Sequence, residues 1–125
     1  MFDPFGLEVL GREQCLSLLA TAGIGRVVFT ARGLPAVQPV RFVLETAAVI
    51  FGAPAGSPLF AAADDGVVAF EADAFDEALE SGWWVTVLGR ARSTGEPARA
   101  WPATTSDDRW ISIPLDVVSG RRLAR

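Results

Sequence analysis

The sequence contains no histidine, no lysine and no tyrosine, and it has a single cysteine. Without His there is no Ser-His-Asp triad, no imidazole-ligated zinc and no His-ligated haem; without Lys there is no Schiff base to pyridoxal phosphate. Cys15 has no partner for a disulfide or a thiolate cluster. At helical spacing with Leu18, Leu19 and Ala22 it reads as a core thiol rather than a nucleophile. Carboxylate chemistry or a bound cofactor is what these absences leave.

Charge is scarce as well. Only 21% of the 125 residues are charged and the net charge is -4, so there is no positive field for a phosphate backbone. Apart from Arg121 and Arg122 the bases are scattered, and nucleic acid is not an expected partner. Long apolar runs are missing too: the longest, Thr46 to Ala63, is broken by Pro54, Gly56 and Pro58, so no membrane segment is expected. Asp3 and Glu8 precede the first base, Arg12, which reverses the charge order of a secretory signal and points to the cytoplasm.

Against these gaps stands an apolar content of 50%. A chain of this length makes one domain, residues 1–125, and with so little polar surface it is expected to cover a face beyond its own core.

Along the chain, residues 1–10 carry apolar side chains without a helical period and are broken by Pro4 and Gly6, which suggests an arm packed on the body. Gly11 as N-cap with Gln14 three residues on opens an amphipathic helix over 12–22. Strands are then expected over Ile24 to Thr30, Ala36 to Leu44, Ala48 to Gly52, Val67 to Ala72, Trp83 to Ser93 and Arg109 to Val117. A Gly/Pro turn over 31–35 joins the first two, a short helix is expected over 58–64, and the spans 73–82 and 94–108 read as polar loops. Closing six short strands into a barrel removes their exposed edges. In Ile24 to Phe29, Val40 to Leu44 and Val67 to Phe70 both faces of the strand are apolar. The barrel interior covers one; a second copy in a two-fold dimer would cover the other.

Six segments in this order resemble the pyridoxamine 5'-phosphate oxidase-like family of flavin-binding split barrels. They are Arg12 to Leu16 with Gly25-Arg26-Val27-Val28-Phe29, Leu34 to Val40, Gly56-Ser57-Pro58-Leu59, Gly82 to Ala91, Ile113-Pro114, and Ser119-Gly120-Arg121-Arg122. The resemblance implies a mainly β fold: a six-stranded antiparallel split β-barrel of Greek-key type with an N-terminal helix and a short second helix, forming a homodimer. It also implies FMN held in a groove at the dimer interface by Val40, Arg41, Phe42 and Val43, by Ala53 with Gly56, Ser57, Pro58 and Leu59, and by Trp83, Trp84 and Val85. The protein would position the flavin, and the flavin would carry the redox chemistry.

The family pattern has a base and a Thr before the turn and a Lys after its Gly-Ser pair, where this chain has Gly52, Ala53 and Pro58. The positive charge a phosphate needs would then come from Arg41 with Arg121 or Arg122, and Trp84 would stack on the isoalloxazine or fill its slot. A deazaflavin fits less well, because its acidic tail wants several bases.

Two functional readings follow. One is an FMN-dependent oxidoreductase that acts on a small molecule by hydride transfer, with no residue assignable as catalytic. The other is a cofactor-free binding or interaction protein that kept the dimeric barrel. The acidic pairs Asp64-Asp65, Asp76-Glu77 and Asp107-Asp108 lie in expected loops and read as solvated rather than as metal ligands or hydrolase carboxylates.

Overall fold

The computed structural model describes residues 1–99, 101 and 107–123. Helix α1 (Arg12–Leu19) starts where Gly11 donates its backbone N–H to Gln14 Oε1 at 3.0 Å. It is three residues shorter than expected. Thr21 and Ala22 donate to the carbonyls of Leu18 and Leu19, which tightens the last turn and ends the helix.

Strands β2 (Ile24–Ala31), β3 (Leu34–Leu44) and β4 (Ala48–Pro54) form a meander. The β2–β3 turn is tighter than its Gly/Pro content suggests, since Ala31 pairs directly with Leu34 and only Arg32 and Gly33 lie between. Both have positive φ, 53° and 78°, the backbone of a type I′ turn. For Arg32 that conformation costs about 1–2 kcal/mol. After β4 comes α2 (Pro58–Ala63), capped by Ser57, whose Oγ accepts from the Phe60 N–H at 3.1 Å, with Pro58 in the first turn, where its missing N–H is no loss.

β5 (Gly66–Phe75) and β6 (Gly82–Thr94) pair along ten residues each. β5 runs three residues further than expected, through Asp73 and Phe75, so the acidic loop shrinks to a turn. Asp76 organises that turn by accepting from the N–H groups of Glu80 and Ser81. β7 (Asp108–Pro114) lies along all of β4. Of the loop expected over 94–108, residues 100 and 102–106 lie outside the described residues.

Closure depends on β6. Its Arg92–Thr94 end pairs β7 while its flank pairs β5, so β5, β2, β3, β4, β7 and β6 form a closed antiparallel barrel. β5 returns beside β2 after the β2–β3–β4 meander, which is a Greek key. These are the six strands expected from the sequence.

The expected last strand, Arg109 to Val117, is in fact two. Leu115, 3% exposed, donates its N–H to Ala47 O at 2.9 Å, and the chain reverses there. β8 (Val117–Leu123) then pairs with the Gly82–Leu88 half of β6, outside the barrel. The N-terminal arm adds a two-residue strand, β1 (Glu8–Val9), to the far edge of β8.

Inward positions make the core. Val27, Phe51, Phe70, Val85, Val87, Ile111 and Ile113 are fully buried, with Phe42 and Phe70 edge to face at 4.8 Å. Cys15 is buried in the α1 packing, so close to β8 that a Cβ at Gly120 would come within 2.7 Å of its Sγ. Burial pushes that thiol up from its ordinary pKa. No described helix is long and apolar enough to cross a membrane.

Candidate functional site

The residues expected to hold a flavin lie in three separate places on the chain. The first is β3. Val40 and Phe42 point into the barrel, 7% and 4% exposed, so only their backbone can meet a ligand. Arg41 points outward and stacks over Trp101, its guanidinium carbon 5.0 Å from the ring centroid. Trp101 in turn meets Trp110 edge to face at 5.1 Å. Trp110 pairs with Gly52 across β4–β7 and lies within van der Waals distance of where a side chain at Gly52 would begin, 3.8 Å. Arg41, Trp101, Trp110 and Gly52 thus form one outer layer, and sequence reasoning missed both Trp residues in it. The available signal was Gly52, a position free of side chain in a strand otherwise rich in large residues.

The second place is the turn after β4. Ala53 and Leu59 are fully buried and belong to the core. The methyl of Ala53 therefore faces the barrel interior, and this position is not one from which a hydroxyl could reach a phosphate. Gly56, Ser57 and Pro58 open onto a cavity of about 520 Å³ whose opposite wall is the β2–β3 hairpin, with Thr30 and Arg32. Arg32 was not among the expected site residues.

The third place is the β6–β8 ladder. Trp83 pairs with Arg122, Trp84 with Arg121 and Val85 with Gly120. Val85 is buried, and Trp83 is half-buried against the core. Trp84 is on the outer face beside Phe75, ring centroids 6.1 Å apart. Both neighbouring bases are already engaged: Arg121 Nε donates to Asp3 Oδ2 at 3.1 Å, and Arg122 lies 3.6 Å from Glu8. The backbone N–H of Leu7, with those of Phe5 and the Arg121 guanidinium, holds Asp3 below the usual carboxylate range. The N-terminal arm thus screens the two bases expected to serve a phosphate.

The pair Asp64-Asp65 has structural partners. Asp64 accepts from Ser93 Oγ at 2.8 Å, and Asp65, in the left-handed region at φ 66°, lies 3.7 and 3.9 Å from Arg90 and Arg92.

On the outer face of β2 and β5, Arg26 Nη1 bridges Glu71 at 3.1 Å and Asp73 at 3.0 Å. Burial, reinforced by the Asp73 carboxylate, pushes Glu71 up to about 7 against the pull of Arg26. Next to this cluster runs a row of apolar side chains in register across five strands: Val37, Val28, Ala69, Leu88 and Val117. Val37 is 60% exposed, Leu88 45% and Val117 54%.

A flavin nucleotide needs a phosphate grip and a flat slot with polar groups at its edge. The hydroxyl of Ser57, the guanidinium of Arg32 and the indole of Trp84 supply those chemistries, and the chain fits the group to that extent. None of the five best-formed cavities joins the three places.

The pyridoxamine 5'-phosphate oxidase family model matches residues 11–122. An uncharacterized protein of Mycobacterium tuberculosis, Rv0080, is 34% identical over 114 residues, 87% of this chain and 75% of that protein. The structure of an FAD binding protein from Mycobacterium smegmatis superposes with a TM-score of 0.79 at 30% identity, over 94% of this chain and 98% of that one. An FAD-binding protein from Mesorhizobium loti gives a TM-score of 0.78 at 18% identity, over 95% and 98%, a likeness of fold. The match over residues 11–122, with the closed Greek-key barrel that those residues build, makes this chain a member of the pyridoxamine 5'-phosphate oxidase family.

Proposed function

We propose that this protein is a homodimeric flavoprotein that binds FMN, or its adenylated form, along the seam between two copies and acts as an oxidoreductase on a small conjugated molecule. The observation that carries the reading is the separation of the three ligand-facing segments. Within a protomer the β3 face, the Gly56-Ser57-Pro58 turn and Trp84 line different cavities. A second copy laid on the outer face brings one protomer's turn towards the other's Trp84 and completes a groove.

The apolar row from Val37 to Val117 supports that arrangement, because side chains of this kind left open to water in register over five strands are the usual mark of a covered face. The Mycobacterium smegmatis relative, described as FAD binding, supports a flavin. Bound there, the flavin would supply hydride transfer. The chain's own part is to grip the phosphate, to press an indole on the ring and to exclude water from the seam.

The test is the colour of the purified protein, release of a fluorescent flavin on denaturation, and mass in solution. A yellow dimer is expected, and Leu88→Glu, which places a carboxylate in the apolar row, is expected to give a colourless monomer. A colourless wild-type dimer that also ignores added FMN and FAD would instead make the chain a cofactor-free interaction protein. A monomer that binds flavin as tightly as the wild type would remove the seam from the reading.

A further inference from the structure

The outer face that carries the apolar row carries charge as well. Two residues along each strand from Val37, Val28, Ala69, Leu88 and Val117 stands a second row in register: Pro39, Arg26, Glu71, Thr86 and Ser119. Strand side chains alternate between faces, so both rows lie on the same one. Asp73, two residues beyond Glu71, lies there too, opposite Trp84. Anything that covers the apolar row therefore closes over Arg26, Glu71 and Asp73.

Those three groups do not balance. The Arg26 guanidinium meets both carboxylates through one nitrogen, so with both acids ionised the cluster carries one negative charge in excess. The side chains of Glu71 and Asp73 keep only 26% and 24% of their exposure, and that remaining contact with water is what supports the excess. Among the described residues no second base pairs with either acid. On β6, Thr86 opposes Glu71 without charge, and Arg90 and Arg92 further along lie at Asp65. On β8, Arg121 is held by Asp3; on β3, Pro39 stands beside Arg26 while Arg41 lies over Trp101. Helix α2, which also packs on β5, has no charged side chain. A second copy related by a two-fold axis brings the same excess, so one closed seam would hold it twice. A carboxylate that loses its water without gaining a cation takes a proton instead. Burial, and then the Asp73 carboxylate, already push Glu71 up to about 7 in one protomer, so near neutral pH that proton is within reach.

We infer that the seam closes with proton uptake: the Glu71–Asp73 pair of each protomer gains about one proton as two copies associate, so that the dimer is favoured on the acid side of neutrality and weakened on the alkaline side. The inference rests on the dimeric reading above and goes beyond it by naming what regulates the seam. A free protomer releases the shared proton near 7, and a closed seam keeps it to higher pH. Between those two values a dimer holds more protons than two separate protomers, so association weakens as pH rises. With two such pairs in the seam the limit is about a hundredfold in Kd per pH unit.

The experiment measures the dimer Kd of the full-length protein by sedimentation equilibrium at about pH 6.5 and about pH 8.5, with circular dichroism at each pH to follow the fold. The wild-type Kd is expected to rise at least about tenfold over that range. Glu71→Gln and Asp73→Asn each leave one acid for one base. Both are expected to change by less than about threefold over the range and to stay near the wild-type value at the acid end. A wild-type dimer whose Kd ignores pH would overturn the inference and leave the dimer standing, its excess charge then met by a base of the second copy. A pH dependence that survives in both variants would put the titrating group elsewhere and overturn it too. A chain that stays monomeric at every pH would remove the dimeric reading itself, and this inference with it.

Discussion

Arg26 on β2 reaches Glu71 on β5 at 3.1 Å with the same nitrogen that holds Asp73 at 3.0 Å, so two carboxylates compete for one cation on a partly covered strand face. The competition is won by burial: Glu71 titrates at about 7, although its ordinary value is 4.5. In the unfolded chain Glu71 releases its proton near 4.5; in the fold it keeps it until about 7. Between those two values the folded state holds more protons, so stability falls as pH rises through that window and stays at the lower level above it.

Glu71→Gln, which cannot ionise, is therefore expected to raise the melting temperature at pH 8, on the order of 2–5 °C, and to change little at pH 4. Thermal scans of both proteins at the two pH values check this. An equal difference at both would mean that ionisation of Glu71 is not the cause.

Gly25 lies opposite Phe70, which is fully buried, and a Cβ there would come within 2.2 Å of the ring's Cζ and 2.9 Å of Glu71 O. Neither obstacle can move, since one is locked in the core and the other is backbone. Gly25→Ala is expected to cost about 3 kcal/mol in urea unfolding. Gly23→Ala, two residues away with no atom within 4 Å of its Cβ and no positive φ, is expected to be neutral or slightly stabilising. Similar midpoints for the two variants would contradict the close packing of β2 on β5.

Pro58 and Ala53 both depart from the family pattern, and the structure separates them. Pro58 is exposed and lines the Arg32 cavity; Ala53 is fully buried. Pro58→Lys is expected to tighten flavin binding by about tenfold through a charged donor at the turn. Ala53→Thr is expected to leave affinity unchanged and to cost about 1–3 kcal/mol of stability, because it buries a hydroxyl. Flavin titrations together with chemical unfolding distinguish the two, and a gain in affinity from Ala53→Thr would show that β4 is rotated from its observed register.

The six barrel strands were legible because β-branched and aromatic runs alternate with Gly/Pro turns, and Gly25 and Gly82, both in motif segments, make room for the rings of Phe70 and Phe75. β8 was not legible. Val117 to Leu123 carries Ser119, Arg121 and Arg122 and buries only Gly120, so its pairing with β6 depends on backbone hydrogen bonds and on α1 behind it rather than on an apolar pattern. The candidate site was half legible. The turn at Gly56-Ser57-Pro58 was legible from its Gly and Pro, and it opens onto a cavity; Trp84 was legible as a strand residue, but not the face it takes. Arg32 was hidden inside a turn that read as plain Gly/Pro punctuation. The layer of Arg41, Trp101 and Trp110 joins residues far apart in the chain, and no local spacing reveals it.

β6 is shared between two sheets, clasped by β8 at its Trp83–Trp84 end and by β7 at its Arg92–Thr94 end. Whatever leans on those indoles therefore pulls on the same ribbon that latches the cylinder shut. Cofactor loading would then stiffen the whole girth at once, and deuterium uptake would slow in β7 as well as around the aromatic pair.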